Sequence, residues 1–148
     1  MHQPEQAILT NMCMIYDHQG NVLVEDRVKQ DWPGITFPGG HVEKNEPIVD
    51  STIREVKEET NLDVKDLRIC GVMHYSEKGV RHVIFLLKTD QFSGDIKSSS
   101  EGKISWIKLK NIDNYKLTAN MDKILKVFTD DKINEFYGYP DSDKFKLI

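Results

Sequence analysis

Cysteine is scarce in this chain, which holds only Cys13 and Cys70, each inside an apolar, strand-like run with no pairing framework and no metal-ligand spacing. A disulfide scaffold is thereby excluded, and both residues are expected to be buried free thiols suited to a reducing compartment. Long hydrophobic runs are missing too. No stretch approaches the roughly 20 apolar residues of a membrane span, and the opening MHQPEQAILT has no basic segment leading into an apolar core. A soluble, cytoplasmic protein is the expectation. Charge of one sign is also lacking: the formal net charge is −4, and the basic residues are scattered rather than massed. That argues against a nucleic-acid footprint or a membrane-surface patch. The chain has no internal repeat, no linker and no Gly-rich loop ending in Gly-Lys-Ser or Gly-Lys-Thr to cradle phosphates. Its 148 residues suffice for one core, so a single domain over residues 1–148 is expected, its oligomeric state unreadable.

What is present is a concentration of acid between Gly40 and Leu62, GHVEKNEPIVDSTIREVKEETNL. At about 100° of rotation per residue, positions i, i+3 and i+4 share one arc of a helix surface, so Glu55, Glu58 and Glu59 are expected to converge. Like charges at that spacing repel. A cation relieves the repulsion, and hard carboxylate oxygens suit Mg²⁺ or Mn²⁺ better than Zn²⁺.

The surrounding pattern predicts strands from Ala7 to Tyr16 and from Val22 to Glu25, joined by the turn residues Asp17-His18-Gln19-Gly20-Asn21 as a hairpin. A short strand, Ile35-Thr36-Phe37, is expected to halt at Pro38-Gly39-Gly40. Pro47 is tolerated only in a helix's first turn, which places the helix start at Asn45 or Glu46, with Val49, Ile53, Val56 and Thr60 as the buried stripe. Asn61 would close it in a left-handed conformation. Further strands are predicted from Leu67 to Tyr75, from Arg81 to Thr89 and from Lys103 to Lys108, and a second helix from Met121 to Phe128. The second of these strands alternates little and reads as central. Ser93 to Gly102 reads as a polar loop, and the tail past Pro140 has no clear pattern. Strands that do not alternate regularly with helices predict an α+β protein, with helices on the faces of a mixed sheet.

The acidic stretch resembles the signature of the Nudix hydrolases: Gly, five residues, Glu, seven residues, Arg-Glu-aliphatic-any-Glu-Glu-any-Gly-aliphatic. Gly40, Glu46, Arg54, Glu55, Val56, Glu58, Glu59 and Leu62 match, and Asn61 stands where the family usually has Gly. Phe37-Pro38-Gly39 and Trp106 also look like family features. The resemblance implies the Nudix fold, an α/β/α sandwich with a mixed β-sheet, and Mg²⁺-dependent cleavage of a nucleoside diphosphate linked to another group. It implies that Glu55, Glu58, Glu59 and the peptide carbonyl of Gly39 hold Mg²⁺, with Mn²⁺ as a substitute. Arg54 resembles the family arginine that positions the glutamates, with Glu46 as its structural partner. The general base would be Glu55 or a carboxylate from a later loop, for which Glu101 is the candidate. The chemistry is consistent with this, because phosphoanhydride oxygens repel an incoming hydroxide until cations draw off their charge.

Absence of an appended recognition segment resembles the MutT-like branch, which acts on small-molecule nucleoside triphosphates. The stretch Leu117-Thr118-Ala119-Asn120-Met121 looks like the place where that branch carries an Asn reading an oxidised purine; an amide both gives and takes hydrogen bonds. Asn120 is equally placed to cap the second helix. Trp32, Phe37 and Tyr75 are candidate walls of a base pocket. The substrate implied is 8-oxo-dGTP or a related purine triphosphate. A nucleotide sugar, a dinucleotide, a 5′-triphosphorylated RNA end or a nucleotide-sensing role without turnover are the alternatives. Retention of every signature acid favours the enzyme.

Overall fold

The computed structural model describes residues Met1 to Ile148. In chain order its elements are β1 Ala7–Ile15, β2 Asn21–Arg27, β3 Gly34–Thr36, β4 Gly39–His41, α1 Ile48–Thr60, β5 Asp63–Lys65, β6 Arg68–Glu77, β7 Val80–Thr89, β8 Gln91–Ser93, β9 Gly102–Lys108, α2 Met121–Thr129, β10 Glu135–Gly138 and β11 Phe145–Leu147. Apolar residues occupy both faces of β1: Met12 and Met14 are buried in one cluster, Cys13 and Ile15 in another. Burial on both faces requires cover on both sides. A six-stranded mixed sheet results, in the order β11-β10-β6-β7-β1-β4, with β1 parallel to β7 and β6 antiparallel to it. Helix α1 packs against β1 and β4, while α2 packs against β6, β7 and β10. The α+β expectation and the sandwich of helices about a mixed sheet both hold.

Three local expectations are corrected. The turn after β1 does reverse the chain, with Asp17 Oδ1 accepting from the Gln19 and Asn21 amides at 2.8 and 2.9 Å. It does not make a hairpin. A lone bridge, Tyr16 to Val22, joins the two segments before β2 leaves for a separate sheet of order β3-β2-β9. Next, the short strand does stop, at Thr36, but Gly39 and Gly40 are not turn residues: they begin β4, paired with Met12 and Asn11 of β1. Glycine is required there, because a Cβ on Gly39 would lie 2.1 Å from the Asn11 carbonyl oxygen. Finally, α1 starts at Ile48, since Pro47 with ψ 143° is its cap rather than part of its first turn.

The buried stripe of α1 also differs. Val56 and Thr60 are buried as expected, but Val49 and Ile53 are only half-buried, and Ser51, Thr52 and Glu59 are buried in their stead. Polar side chains can occupy that face because their hydrogen bonds are met locally: Ser51 and Thr52 each donate to the Ile48 carbonyl at 2.8 Å. Asn61 adopts φ 70°, ψ 0° and closes the helix as foreseen. Cys13 is buried, whereas Cys70 is half-buried, and both are free. The short strands β5, β8, β10 and β11 carry three or four residues each, too few for alternation to register.

Phe128 of α2 meets Phe37 edge-on at 5.2 Å between ring centroids, joining the helix to the segment that leads into β4. Both rings are fully buried. Replacing Phe128 with Ala should lower the unfolding free energy by about 3–5 kcal/mol, as for other large-to-small aromatic changes in a core. Urea titration reads this as a lower midpoint at unchanged slope.

Candidate catalytic and metal site

The positions of the helix acids follow from helical geometry. Glu55 and Glu58 share the outer side of α1 with Arg54, and Glu59 turns inward. Arg54 binds four groups. Its Nε and Nη2 reach the two carboxylate oxygens of Glu46 at 2.9 and 3.0 Å, a bidentate fork. Nη1 donates to Glu55 Oε1 at 3.0 Å and lies 3.4 Å from both oxygens of Glu58, while Nη2 also donates to the His41 carbonyl at 3.0 Å. Glu46 is fixed in turn by the Glu43 amide at 3.0 Å. The Arg54 hydrogen bonds hold the Glu46 carboxyl below the usual carboxylate range.

The β4 backbone comes up against this network. A Cβ on Gly40 would stand 2.3 Å from the Glu55 carboxyl carbon, so a side chain there would have to displace that carboxyl from its present position beside Arg54. The Gly39 amide donates to Glu59 Oε2 at 3.1 Å. Asn11 ties three elements together: Oδ1 accepts from the Gly40 amide at 3.1 Å and Nδ2 donates to Ser51 Oγ at 3.0 Å. Neither Asn11 nor this brace is legible in the sequence, because a polar residue within a strand is ordinarily read as outward-facing.

Inward of the helix lies a second acidic group that only the fold assembles. Glu59 is 9% exposed, and burial pushes its carboxyl up to about 8, with the charge of Glu25 adding to the effect and the Gly39 amide opposing it. Glu55 is raised as well, again chiefly by burial. Glu101, on the turn into β9, pairs with Lys29 at 3.0 Å, and its charge bears on both Glu59 and Glu25. Sequence reasoning missed Glu25. Its one signal was an acid ending the apolar run Val22-Leu23-Val24.

The three signature glutamates therefore do not converge on one point. Glu55 and Glu58 meet on Arg54, which takes the place of a cation as their charge partner, and Glu59 faces Gly39 instead. No three acidic, imidazole or thiol groups stand as a ready-made metal cage. The chemistry of the donors nonetheless fits a hard divalent ion: all are carboxylate oxygens, burial favours protonation of Glu25, Glu55 and Glu59, and Glu25 Oε1 is buried with no hydrogen-bond partner.

The candidate base-binding residues fall into two neighbouring cavities. The first, about 190 Å³, is lined by Thr10, Glu25, Arg27, Trp32, Gly39 and Ile84 among others. Arg27 holds Trp32 there, its guanidinium 5.0 Å from the indole centroid and its Nε donating to the Trp32 carbonyl at 2.9 Å. Phe37 backs this cavity but is 2% exposed, so its ring supports the wall and offers no free face. The second, about 520 Å³, is lined by Tyr75 and Asn120 with Met73, Lys123, Phe136 and Phe145. Ile84 of the first and Met73 of the second are cross-strand partners on β7 and β6, so the cavities adjoin on one sheet face. Asn120 is the N-cap position of α2, but at φ 67° its side chain makes no capping bond. Its Oδ1 accepts only from Lys123, at 3.4 Å.

The family model of the NUDIX domain matches residues 8–128. The chain belongs to the Nudix family. It is 29% identical over 123 residues to the uncharacterized Nudix hydrolase YvcI of Bacillus subtilis, covering 79% of this chain and 75% of that one. It is 31% identical over 118 residues to the ADP-ribose pyrophosphatase of Methanocaldococcus jannaschii, covering 76% and 68%. Among solved structures, the MutT protein from Bacillus halodurans superposes with a TM-score of 0.76 at 27% identity, covering 95% of this chain and 94% of that one. This Nudix protein is thus an enzyme, a pyrophosphatase of a family that acts on small nucleotide substrates and generally uses a divalent metal such as Mg²⁺. No helix in it is long and apolar enough to cross a membrane.

A pH dependence follows for the metal-free Nudix protein. Glu59 binds its proton more tightly folded, at about 8, than unfolded, at an ordinary 4.5, and Glu25 and Glu55 shift the same way. Their contribution is complete below the unfolded value and is lost as pH rises towards the folded one. The melting temperature should therefore fall between about pH 5 and about pH 8, and saturating Mg²⁺ should flatten the fall by binding the charged form. Differential scanning fluorimetry with EDTA or Mg²⁺ checks this; parallel profiles in the two conditions would contradict it.

Proposed function

We propose that this Nudix hydrolase converts 8-oxo-dGTP or a related purine nucleoside triphosphate to the monophosphate and pyrophosphate. The observation that carries the reading is Asn120: its carboxamide is free of capping duty and faces a cavity floored by Met73, Tyr75 and Phe136. An amide there offers a donor and an acceptor to one purine edge, while the apolar floor takes the ring. The adjoining cavity leads to Gly39 and the acids, where the phosphates belong, with Trp32 and Arg27 beside the path.

Glu55, Glu58 and Glu59, with the Gly39 carbonyl, are assigned to hold Mg²⁺. When bound, the ion neutralises phosphoanhydride oxygens and lowers the pKa of an attacking water. Arg54 positions Glu55 and Glu58 and is itself locked by Glu46. Glu55 is favoured over Glu101 as the proton acceptor, because its side chain is the more enclosed, 15% against 37% exposed, beside the Gly40 backbone, and Glu101 is engaged with Lys29.

The test is a substrate panel with Mg²⁺: 8-oxo-dGTP, dGTP, the other nucleoside triphosphates, ADP-ribose, a dinucleoside polyphosphate and a 5′-triphosphorylated RNA. The expected result is pyrophosphate release with kcat/KM for 8-oxo-dGTP at least about tenfold above dGTP, and Asn120→Ala should erase about that factor, the worth of one or two neutral hydrogen bonds. Equal rates on the two guanine nucleotides, or a preference for ADP-ribose, would displace this choice of substrate. Glu59→Gln should lower turnover on every compound by orders of magnitude with the circular dichroism spectrum unchanged, and undiminished turnover would remove Glu59 from the ligand set.

A further inference from the structure

Glu25 lies outside the signature helix, and none of the roles assigned in the proposed reaction falls to it. It occupies a core position on β2, 2% exposed, with Oε1 making no hydrogen bond. A buried carboxyl without partners is among the most unfavourable groups a fold can carry, and a glutamine or a leucine would fill the same space more favourably. The nearby cations are already committed. Arg27 donates through Nε to the Trp32 carbonyl and lies 3.7 Å from Asp31, while Lys29 pairs with Glu101 at 3.0 Å.

Strand alternation fixes the direction in which Glu25 points. Leu23, two residues earlier and on the same face, packs in one cluster with Val56 of α1. Glu25 is therefore turned towards the same helix, and Glu25 is the neighbouring charge felt most strongly by Glu59. It also lines the cavity that contains Gly39 and Gly40. Gly102 of the paired strand β9 leaves room beside it, since a Cβ there would come within 3.1 Å of the Glu25 Cγ. Three acids from three different elements, Glu25, Glu59 and Glu101, thus surround the inner side of the site with no protein cation spare to neutralise the first two.

We propose that Glu25 is an additional divalent-cation ligand, sharing an ion with Glu59, so that the metal centre is held from β2 as well as from α1. The proposal rests on the reading of this site as a metal centre. It explains why an acid continues an apolar strand: carboxylate oxygen without a hydrogen-bond donor is what a hard cation requires.

The experiment measures Mn²⁺ binding without nucleotide, by electron paramagnetic resonance of free Mn²⁺, in the wild type, Glu25→Gln and Glu59→Gln. Glu25→Gln should weaken Mn²⁺ affinity by at least about tenfold, comparable to losing an important supporting group of a metal site. In the same variant the Mn²⁺-dependent rise in melting temperature should shrink, while the metal-free melting temperature stays equal or rises, because an unpaired buried acid has become a neutral amide. Glu25→Asp keeps the charge one methylene shorter and should weaken Mn²⁺ binding less than the amide does, which covers the case of a glutamine variant that folds poorly. Wild-type affinity in Glu25→Gln with loss in Glu59→Gln would overturn the role of Glu25 and leave the signature centre standing. Failure of the wild type itself to bind Mn²⁺ would overturn both.

Discussion

Mutual repulsion among acids is the constraint to which the rest of this structure answers. Glu46, Glu55 and Glu58 are kept together by a single guanidinium, and Arg54 can serve all three only because its planar fork spends two donors on Glu46 and keeps Nη1 for the other pair. A lysine at this position would offer a point charge without the fork. The arrangement places the Arg54 charge behind these glutamates; on the inner side, Arg27 and Lys29 are engaged with Trp32, Asp31 and Glu101. Glu59 and Glu25 are on that side, and burial favours protonation of each. Glu59 and Glu25 thus lack the guanidinium contact that Glu46, Glu55 and Glu58 share.

Glycine spacing is the second half of the same design. Gly39 and Gly40 belong to β4 because hydrogen bonding to β1 draws them in, yet each also permits a contact that a side chain would forbid, one with the Asn11 carbonyl and one with the Glu55 carboxyl. The strand thus acts as the lid of the helix acids while still being part of the largest sheet. Asn11 explains why this edge is rigid, since its amide joins β1, β4 and α1 through the Gly40 amide and Ser51. A reactive site built at the edge of a sheet needs such bracing, for its groups must be held to within a fraction of an ångström.

Much of this was readable from the chain, and the division has physical causes. The long strands, both helices and the Asn61 cap carry strong local signals: nine or ten residues of β-prone sequence in β1, β6 and β7, and helical spacing in α1 and α2. The signature acids and Arg54 were visible because their spacing is local to one helix. What was hidden depends on the third dimension. The Tyr16 to Val22 turn looks like any hairpin until the core decides that Leu23 and Val24 are wanted in different clusters, sending β2 to its own sheet. The inward turn of Glu59, the buried amide of Asn11 and the burial of Glu25 are all properties of packing between elements far apart in sequence. Asn120 is intermediate: its place at the head of α2 was foreseen, but only the left-handed backbone there decides against a side-chain cap.

The larger cavity draws its walls from both inside and outside the region shared with the family. The residues proposed for the anhydride chemistry lie between β1 and β9, inside the region shared with the family, whereas β10 and β11 follow after residue 128, where the family match ends. Those two strands extend the sheet beyond β6 and bring Phe136 and Phe145 to the larger cavity, the second of them 5.0 Å from the Lys123 ammonium. Tyr75 reaches that cavity from within the shared region, opposite Gly138, which is close enough that a Cβ there would press on the tyrosine side chain at 3.0 Å. None of these contacts involves Arg54 or its glutamates. The acids of α1 are then fixed by charge and the wall of the larger cavity by apolar packing, two kinds of interaction that share the sheet but almost no side chains.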